Sequence, residues 1–200
     1  MENQIEKGKI FNKNGTIRYD GDFVDDKREG NGKIINEYGS YYIGQFKNNL
    51  PNGKGKICDK NGNIIYDGDL DDDKREGNCK IIFEDGSYFI GQFKNDLPNG
   101  KGKIYYPNGN IKYDGDFVDG KREGNGKFIF EDGSYFIGQF KNDSPNGKGS
   151  EYDKNGNIIY DGDFVDDERE GNGKYICEDG SYYIGQFKNG KPNWKRKNFQ

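Results

Sequence analysis

The segment YIGQFKNNLPNGKGK at residues 42–56 returns nearly unchanged three times. It reads FIGQFKNDLPNGKGK from Phe89, FIGQFKNDSPNGKGS from Phe136 and YIGQFKNGKPNWKRK from Tyr183, each start 47 residues after the last. A fixed period of this length restricts the chain to a repeat architecture, in which each unit is completed by its neighbours. It also argues against a phosphate loop, because such a loop occurs once per nucleotide site.

Each period holds two related modules. The first, YDGDFVDDKREGNGKIINEYGSY at 19–41, recurs from Tyr66, Tyr113 and Tyr160, and the second begins at Tyr42. Both run aromatic-x-Gly-x-Phe (Leu70 once), six further residues, Gly-x-Gly and a Gly-containing turn. The tandem units are thus 19–41, 42–65, 66–88, 89–112, 113–135, 136–159 and 160–182. Residues 1–18 hold a half-repeat, and 183–200 a partial repeat with a basic cap.

Tyr19, Gly21 and Phe23 alternate with the period of a strand, so they share one face while Asp20 and Asp22 take the other. GNGKII reads as a second short strand, and EDGS and PNGN carry the Asp-Gly or Asn-Gly pairs of tight hairpins. Each module is therefore a β-hairpin. The paired glycines leave room for an aromatic ring to lie across the backbone. This predicts an all-β, elongated, single-layer antiparallel meander, a solenoid-like ribbon of about sixteen strands and roughly 75 Å in length at about 4.8 Å per strand.

Composition agrees. The chain has no alanine or histidine, three leucines and 15% aromatic residues, a mixture suited to strands rather than helices. Its aromatic content also speaks against disorder, despite 32 glycines. A net charge of −4 implies no global preference for nucleic acid or membranes. The start MENQIEKGKIF lacks the apolar stretch of a secretory signal, so a cytoplasmic location is expected. Cys58, Cys79 and Cys177 form no CxxC pair and occupy unrelated repeat positions, which reads as free thiols.

Charge alternates as well: residues 19–41 hold six acids and three bases, residues 42–65 one acid and four bases. The hairpin spacing sets Lys54 and Lys56 against Asp67 and Asp69 on adjoining strands, where cross-strand pairs reinforce register.

No stretch supplies recognisable catalytic chemistry. Asn48 and Gly55 break a Walker loop, and Cys58 breaks GxGxxG. An EF-hand loop from Asp67 would need Gly at 72 and Glu at 78, where Asp72 and Asn78 stand. We expect no catalytic residues, cofactor or metal.

The pattern Y-x-G-x-F-x6-G-x-G, followed by an Asp/Asn-Gly turn, resembles the MORN (membrane occupation and recognition nexus) repeat family over about residues 7–192. Residues 89–111 and 113–135 carry the likeness best, with Phe where the family often has Trp. The resemblance implies a β-sheet scaffold for protein assembly or dimerisation, in cytoskeletal settings among others. It also implies, as an alternative, binding to phosphoinositide or other anionic membranes. The PNGNIKYDGDF junctions resemble variant repeats of some bacterial proteins, which adds an antitoxin-like binding role as a further alternative.

Two sets of site residues follow. Tyr42, Phe46, Phe89, Phe93, Phe136, Phe140, Tyr183 and Phe187 form an aromatic strip, expected to be exposed and to grip a protein partner or a second copy. Polar replacement of Phe93 and Phe140 is expected to abolish association and leave the sheet intact. Lys54, Lys56, Lys101 and Lys103, with Trp194, Lys195, Arg196 and Lys197 in the tail, would serve the membrane reading.

Overall fold

The computed structural model describes residues 4–193, and within them there are strands and turns but no helix. The chain falls into two compact units, residues 1–99 and 100–200. The first holds β1 (Glu6–Phe11), β2 (Ile17–Val24), β3 (Lys27–Ile35), β4 (Tyr41–Lys47), β5 (Leu50–Cys58), β6 (Ile64–Asp71), β7 (Lys74–Ile82) and β8 (Tyr88–Lys94). Each pairs antiparallel with the next, an open meander.

β9 (Leu97–Tyr105) begins just before the boundary. The second unit continues through β10 (Ile111–Val118), β11 (Lys121–Ile129), β12 (Tyr135–Lys141), β13 (Ser144–Tyr152), β14 (Ile158–Val165), β15 (Glu168–Ile176), β16 (Tyr182–Lys188) and β17 (Lys191–Pro192). It too is an antiparallel meander in sequence order.

Two kinds of turn alternate. The expected Gly-containing loops are present: Gly15, Gly39, Gly62 and their counterparts take positive φ. An Asx or Ser side chain tightens most of them, as where Asp59 accepts from the backbone N–H of Asn61 and Asn63, both at 2.8 Å. At the other end of the strands lie two-residue turns that the sequence did not announce. Asp25-Asp26, Asn48-Asn49, Asp72-Asp73 and Asn142-Asp143 have positive φ at both positions. That is the type I′ geometry, whose twist matches paired strands and which Asn and Asp tolerate best after glycine.

These turns also tie neighbouring hairpins together. The Asn49 N–H donates to the Arg28 carbonyl at 3.0 Å, and the Arg28 N–H returns a bond to Asn49 Oδ1 at 2.9 Å. Asp96 with Arg75 and Asp143 with Arg122 repeat the exchange. The turns at Asn49, Asp73, Asp96, Asp143 and Asp167 are thus each pinned to the strand two before them.

One face of the sheet carries the core in three rows. In the first, rings alternate across the strands with mostly aliphatic side chains: Tyr19↔Ile34↔Tyr42↔Ile57↔Tyr66↔Ile81↔Phe89. The second is glycine, with Gly21↔Gly32↔Gly44↔Gly55↔Gly68, and Cys79 next. The third sets each Phe or Leu70 beside Arg or Pro, as in Phe23↔Arg28, Phe46↔Pro51 and Leu70↔Arg75.

The rings do not stand up from the sheet. Each lies along its strand over the glycine row, so that a Cβ at Gly32 would be 2.7 Å from the Tyr19 ring and one at Gly55 2.2 Å from that of Tyr42. The seated phenol then donates to the carbonyl three residues on, Tyr42 to Gln45 at 2.9 Å and Tyr113 to Asp116 at 3.1 Å. Seated rings meet Phe side chains edge-on: Tyr19 has Phe23 and Phe46 at 5.2 Å each, and Tyr113 has Phe117 and Phe140 at 5.2 Å each. This edge-to-face arrangement is the favoured one for aromatic pairs.

The ring layer is the core, and Tyr19, Tyr113 and Tyr160 are fully buried. A single-layer sheet ordinarily leaves such a layer wet. Here three features cover it: the rings lie flat, the next module's Phe closes one side, and arginine closes the top. The Arg28 guanidinium is 5.6 Å from the Tyr19 ring centre and 5.7 Å from that of Phe46, and Arg122 caps Tyr113 and Phe140 likewise at 5.6 and 5.5 Å.

The ring-face groove as candidate functional site

The expectation of an exposed aromatic strip is therefore corrected. Tyr42, Phe46, Phe89, Phe93, Phe136, Phe140 and Phe187 are buried, all at 6% exposure or less, and Tyr183 is half-buried. Strand alternation assigns these side chains to one face but cannot tell whether a ring projects or lies down. Here the glycine row lets them lie down. Polar replacement of Phe93 and Phe140, at 4% and 3% exposure, would consequently break the core rather than report on binding.

Beside the rings, the same face carries a second, less buried layer. Ile34, Ile57 and Ile81 in the first unit, and Ile104, Phe128 and Tyr175 in the second, are half-buried between seated rings. They line shallow grooves with Arg, Pro and turn carboxylates at the rim. One, of about 1260 Å³, runs past Ile34, Ile57 and Tyr42 between Arg28, Leu50 and Pro51. A groove of about 340 Å³ follows at Ile57, Ile81, Tyr66, Arg75 and Asp96. The second unit repeats the arrangement in about 400 Å³ around Ile104, Phe128, Phe136, Phe140, Arg122 and Pro145.

The rim arginines are held in place. Arg75 donates through Nε to Asp96 Oδ1 at 3.0 Å and through a terminal nitrogen to the Asp96 carbonyl at 3.0 Å, and Arg122 approaches Asp143 in the same way. Gly190 stands at the matching turn position of the next repeat, so Arg169 pairs with Glu151 instead. The KREG run counts only as charge in the sequence. Its functional signal was the recurrence of Arg nine residues after each odd-module Tyr, against Pro in the even modules.

Burial and nearby carboxylates shift the rim and floor groups. Desolvation, with Asp96 nearby, raises the Asp73 carboxyl, whereas backbone and side-chain bonds from Arg75 lower that of Asp96. Burial pushes the Tyr42 and Tyr160 phenols up to about 12. Cys79, in a glycine position of the seat row, is buried and its thiol is pushed up to about 12 by desolvation, which suits an inert packing residue. All three cysteines are free.

The opposite face is a ladder of opposite charges, in the register the sequence predicted. Lys54 pairs with Asp69 at 3.5 Å, Lys56 with Asp67 at 2.9 Å, and Lys103 with Asp114 at 2.8 Å, while Lys101 pairs with Asp116. Every described lysine of the anionic-surface set is thus opposed by a carboxylate. The rest of that set, Trp194, Lys195, Arg196 and Lys197, lies outside the described residues. No group of three or more His, Cys, Asp or Glu arranged to hold a metal occurs among the described residues.

Flat rings on a glycine row, tied turn to turn, define a β-hairpin repeat protein. The MORN repeat model matches residues 19–35, 42–64, 66–88, 89–111, 113–135, 136–158, 160–182 and 183–193, and the chain belongs to that family. A comparison with curated proteins finds no match. MORN repeats are found in scaffold or binding proteins, and their all-β fold is generally non-catalytic.

Proposed function

We propose that the chain is a non-catalytic scaffold that holds a protein segment in the ring-face grooves. The observation that carries this reading is the half-buried row Ile34, Ile57 and Ile81 between arginine and proline rims. Its members are two strands apart, roughly 10 Å. Seven residues of an α-helix rise by about 10.5 Å, so a helix running across the strands would meet one groove residue every second turn. An amphipathic helix with apolar residues seven apart is therefore the occupant that suits the row, a helix-in-groove mode. The cytoplasm, where the partner would be a cytoskeletal or assembly protein, is the corresponding location. The charge ladder on the opposite face weighs against the anionic-membrane reading, since binding there would first have to break those pairs.

The test is a matched pair of substitutions. Glu151 already occupies the repeat position of Ile57, so Ile57→Glu is expected to keep the far-UV spectrum of the sheet. It should weaken capture of the natural partner from host extract at least about tenfold, because a carboxylate would enter an apolar contact. Ile43→Glu, on the ladder face where Ile43 is 46% exposed, should leave capture unchanged. Equal capture by the two variants would refute the groove as the binding surface.

A further inference from the structure

We infer that Arg28 sets the specificity of the first unit's groove, and that the protein segment held there presents an acidic side chain to its guanidinium. This rests on the groove being the binding surface and names the chemistry of its occupant. Four arginines share one repeat position: Arg28, Arg75, Arg122 and Arg169. Three are answered within the chain, Arg75 by Asp96, Arg122 by Asp143 and Arg169 by Glu151. Arg28 has no carboxylate in ion-pair contact among the described residues.

One residue makes the difference. Asn49 stands where Asp96 and Asp143 stand in the later repeats. The main-chain half of the exchange is kept, with the Arg28 N–H on Asn49 Oδ1 at 2.9 Å and the Asn49 N–H on the Arg28 carbonyl at 3.0 Å. The charged half is lost: Arg75 donates through Nε to a carboxylate, Asp96 Oδ1 at 3.0 Å, whereas Asn49 carries no charge. Arg28 nevertheless keeps its seat, 5.6 Å from the Tyr19 ring centre and 5.7 Å from that of Phe46. Stacking occupies the flat side of a guanidinium and leaves its N–H edge for a planar carboxylate. Asp96 marks the place for that acid, since it meets the edge of Arg75 while the guanidinium lies 5.5 Å from the Phe93 ring centre.

Arg28 and Asn49 both line the groove of about 1260 Å³. Arg18 lines it too, at the repeat position of Ile65, which lines the neighbouring groove of about 340 Å³. Two acids border the same groove elsewhere. Glu37 lies in the loop beyond the far end of β3, and Asp73 donates its N–H to the Pro51 carbonyl at 2.8 Å. Pro51 is two strands from Arg28, roughly 10 Å. An acid on the occupant is thus attracted at Arg28 and repelled at Asp73, which holds a helix crossing the strands in one register. The groove of the second unit makes no such demand, because Arg122 already meets Asp143 there.

The test variant is Asn49→Asp, which would close Arg28 as Asp96 closes Arg75. It should keep the fold, since Asn49, Asp96 and Asp143 share the left-handed backbone with φ of 74°, 70° and 75°. The probe is a phage-displayed library of helical peptides with leucine fixed at two positions seven residues apart and the rest of that face randomised, selected on the whole chain. Recovered clones should carry Asp or Glu at one fixed distance from a leucine. Their binding should fall at least about tenfold on Asn49→Asp, a change of about 1.4 kcal/mol, and also on Ile57→Glu. Clones that Ile57→Glu releases but that bind Asn49→Asp as well as the unsubstituted chain, or that carry no acid, would overturn the role of Arg28 and leave the groove standing. Clones indifferent to Ile57→Glu, or an empty selection, would refute the groove itself and this role with it.

Discussion

Tyr113→Ala is expected to destabilise the second unit by about 3–5 kcal/mol, the range for removing a large buried ring. Tyr113 is fully buried, rests on Gly126, and holds Phe117 and Phe140 edge-on under the Arg122 guanidinium. Its loss leaves a hole that flat neighbours on a single sheet cannot close. For a chain of this size the melting temperature should fall by roughly 10 °C, at about 2–4 °C per kcal/mol. Tyr113→Phe should cost no more than about 1.5 kcal/mol, the value of the hydrogen bond to the Asp116 carbonyl. Phe89 and Phe136 occupy the equivalent position without a hydroxyl. Thermal melts followed by circular dichroism separate the two; similar losses would mean that the ring itself is not what holds the module.

The two glycine positions of a module should differ in the same assay. A Cβ at Gly115 would lie 2.6 Å from the Gly126 Cα and 2.7 Å from the Asn125 carbonyl oxygen, both main-chain atoms of the facing strand. Backbone cannot give without parting the strands, so Gly115→Ala should cost about 3 kcal/mol, at the upper end for overpacking. At Gly126 the nearest obstacles are atoms of the Tyr113 ring, which can shift. Cys79 occupies that repeat position naturally, with Tyr66 still bonded to the Asp69 carbonyl. Gly126→Ala should therefore cost only about 1 kcal/mol, partly offset by the lower chain entropy of alanine when unfolded. A larger loss at Gly126 than at Gly115 would contradict the seat geometry.

This contrast was present in the sequence. The first glycine is invariant across the repeats of this chain (Gly21, Gly44, Gly68, Gly91, Gly115, Gly138, Gly162, Gly185), whereas the second yields once to Cys79 and once, outside the described residues, to Arg196. Period, strand class, register and the Lys–Asp ladder were legible because each depends on spacing along the chain. The orientation of the rings was not, since alternation by two gives a face and no torsion angle. Nor were the Asp25-Asp26 and Asn48-Asn49 turns. Neither carries the glycine that usually marks a left-handed residue, and only the pairing of the flanking strands forces both into it. The arginine caps escaped for a related reason. Arg28 reaches rings on two modules, Tyr19 and Phe46, and that contact exists only once the hairpins are stacked.

The rings are a buried structural layer seated on glycine. Spectrophotometric titration of the fifteen tyrosines tests it most directly. Tyr42 and Tyr160 are raised to about 12, and Tyr19, Tyr66 and Tyr113 are also raised, with desolvation the largest cause in each case. A phenol held above its unfolded value of about 10 gives stability that is complete below that pH and is lost as the pH climbs through the folded value. The prediction is that the seated five ionise only with loss of the β spectrum, at about pH 12 or above. All fifteen ionising as one class near pH 10, with the sheet preserved, would contradict it.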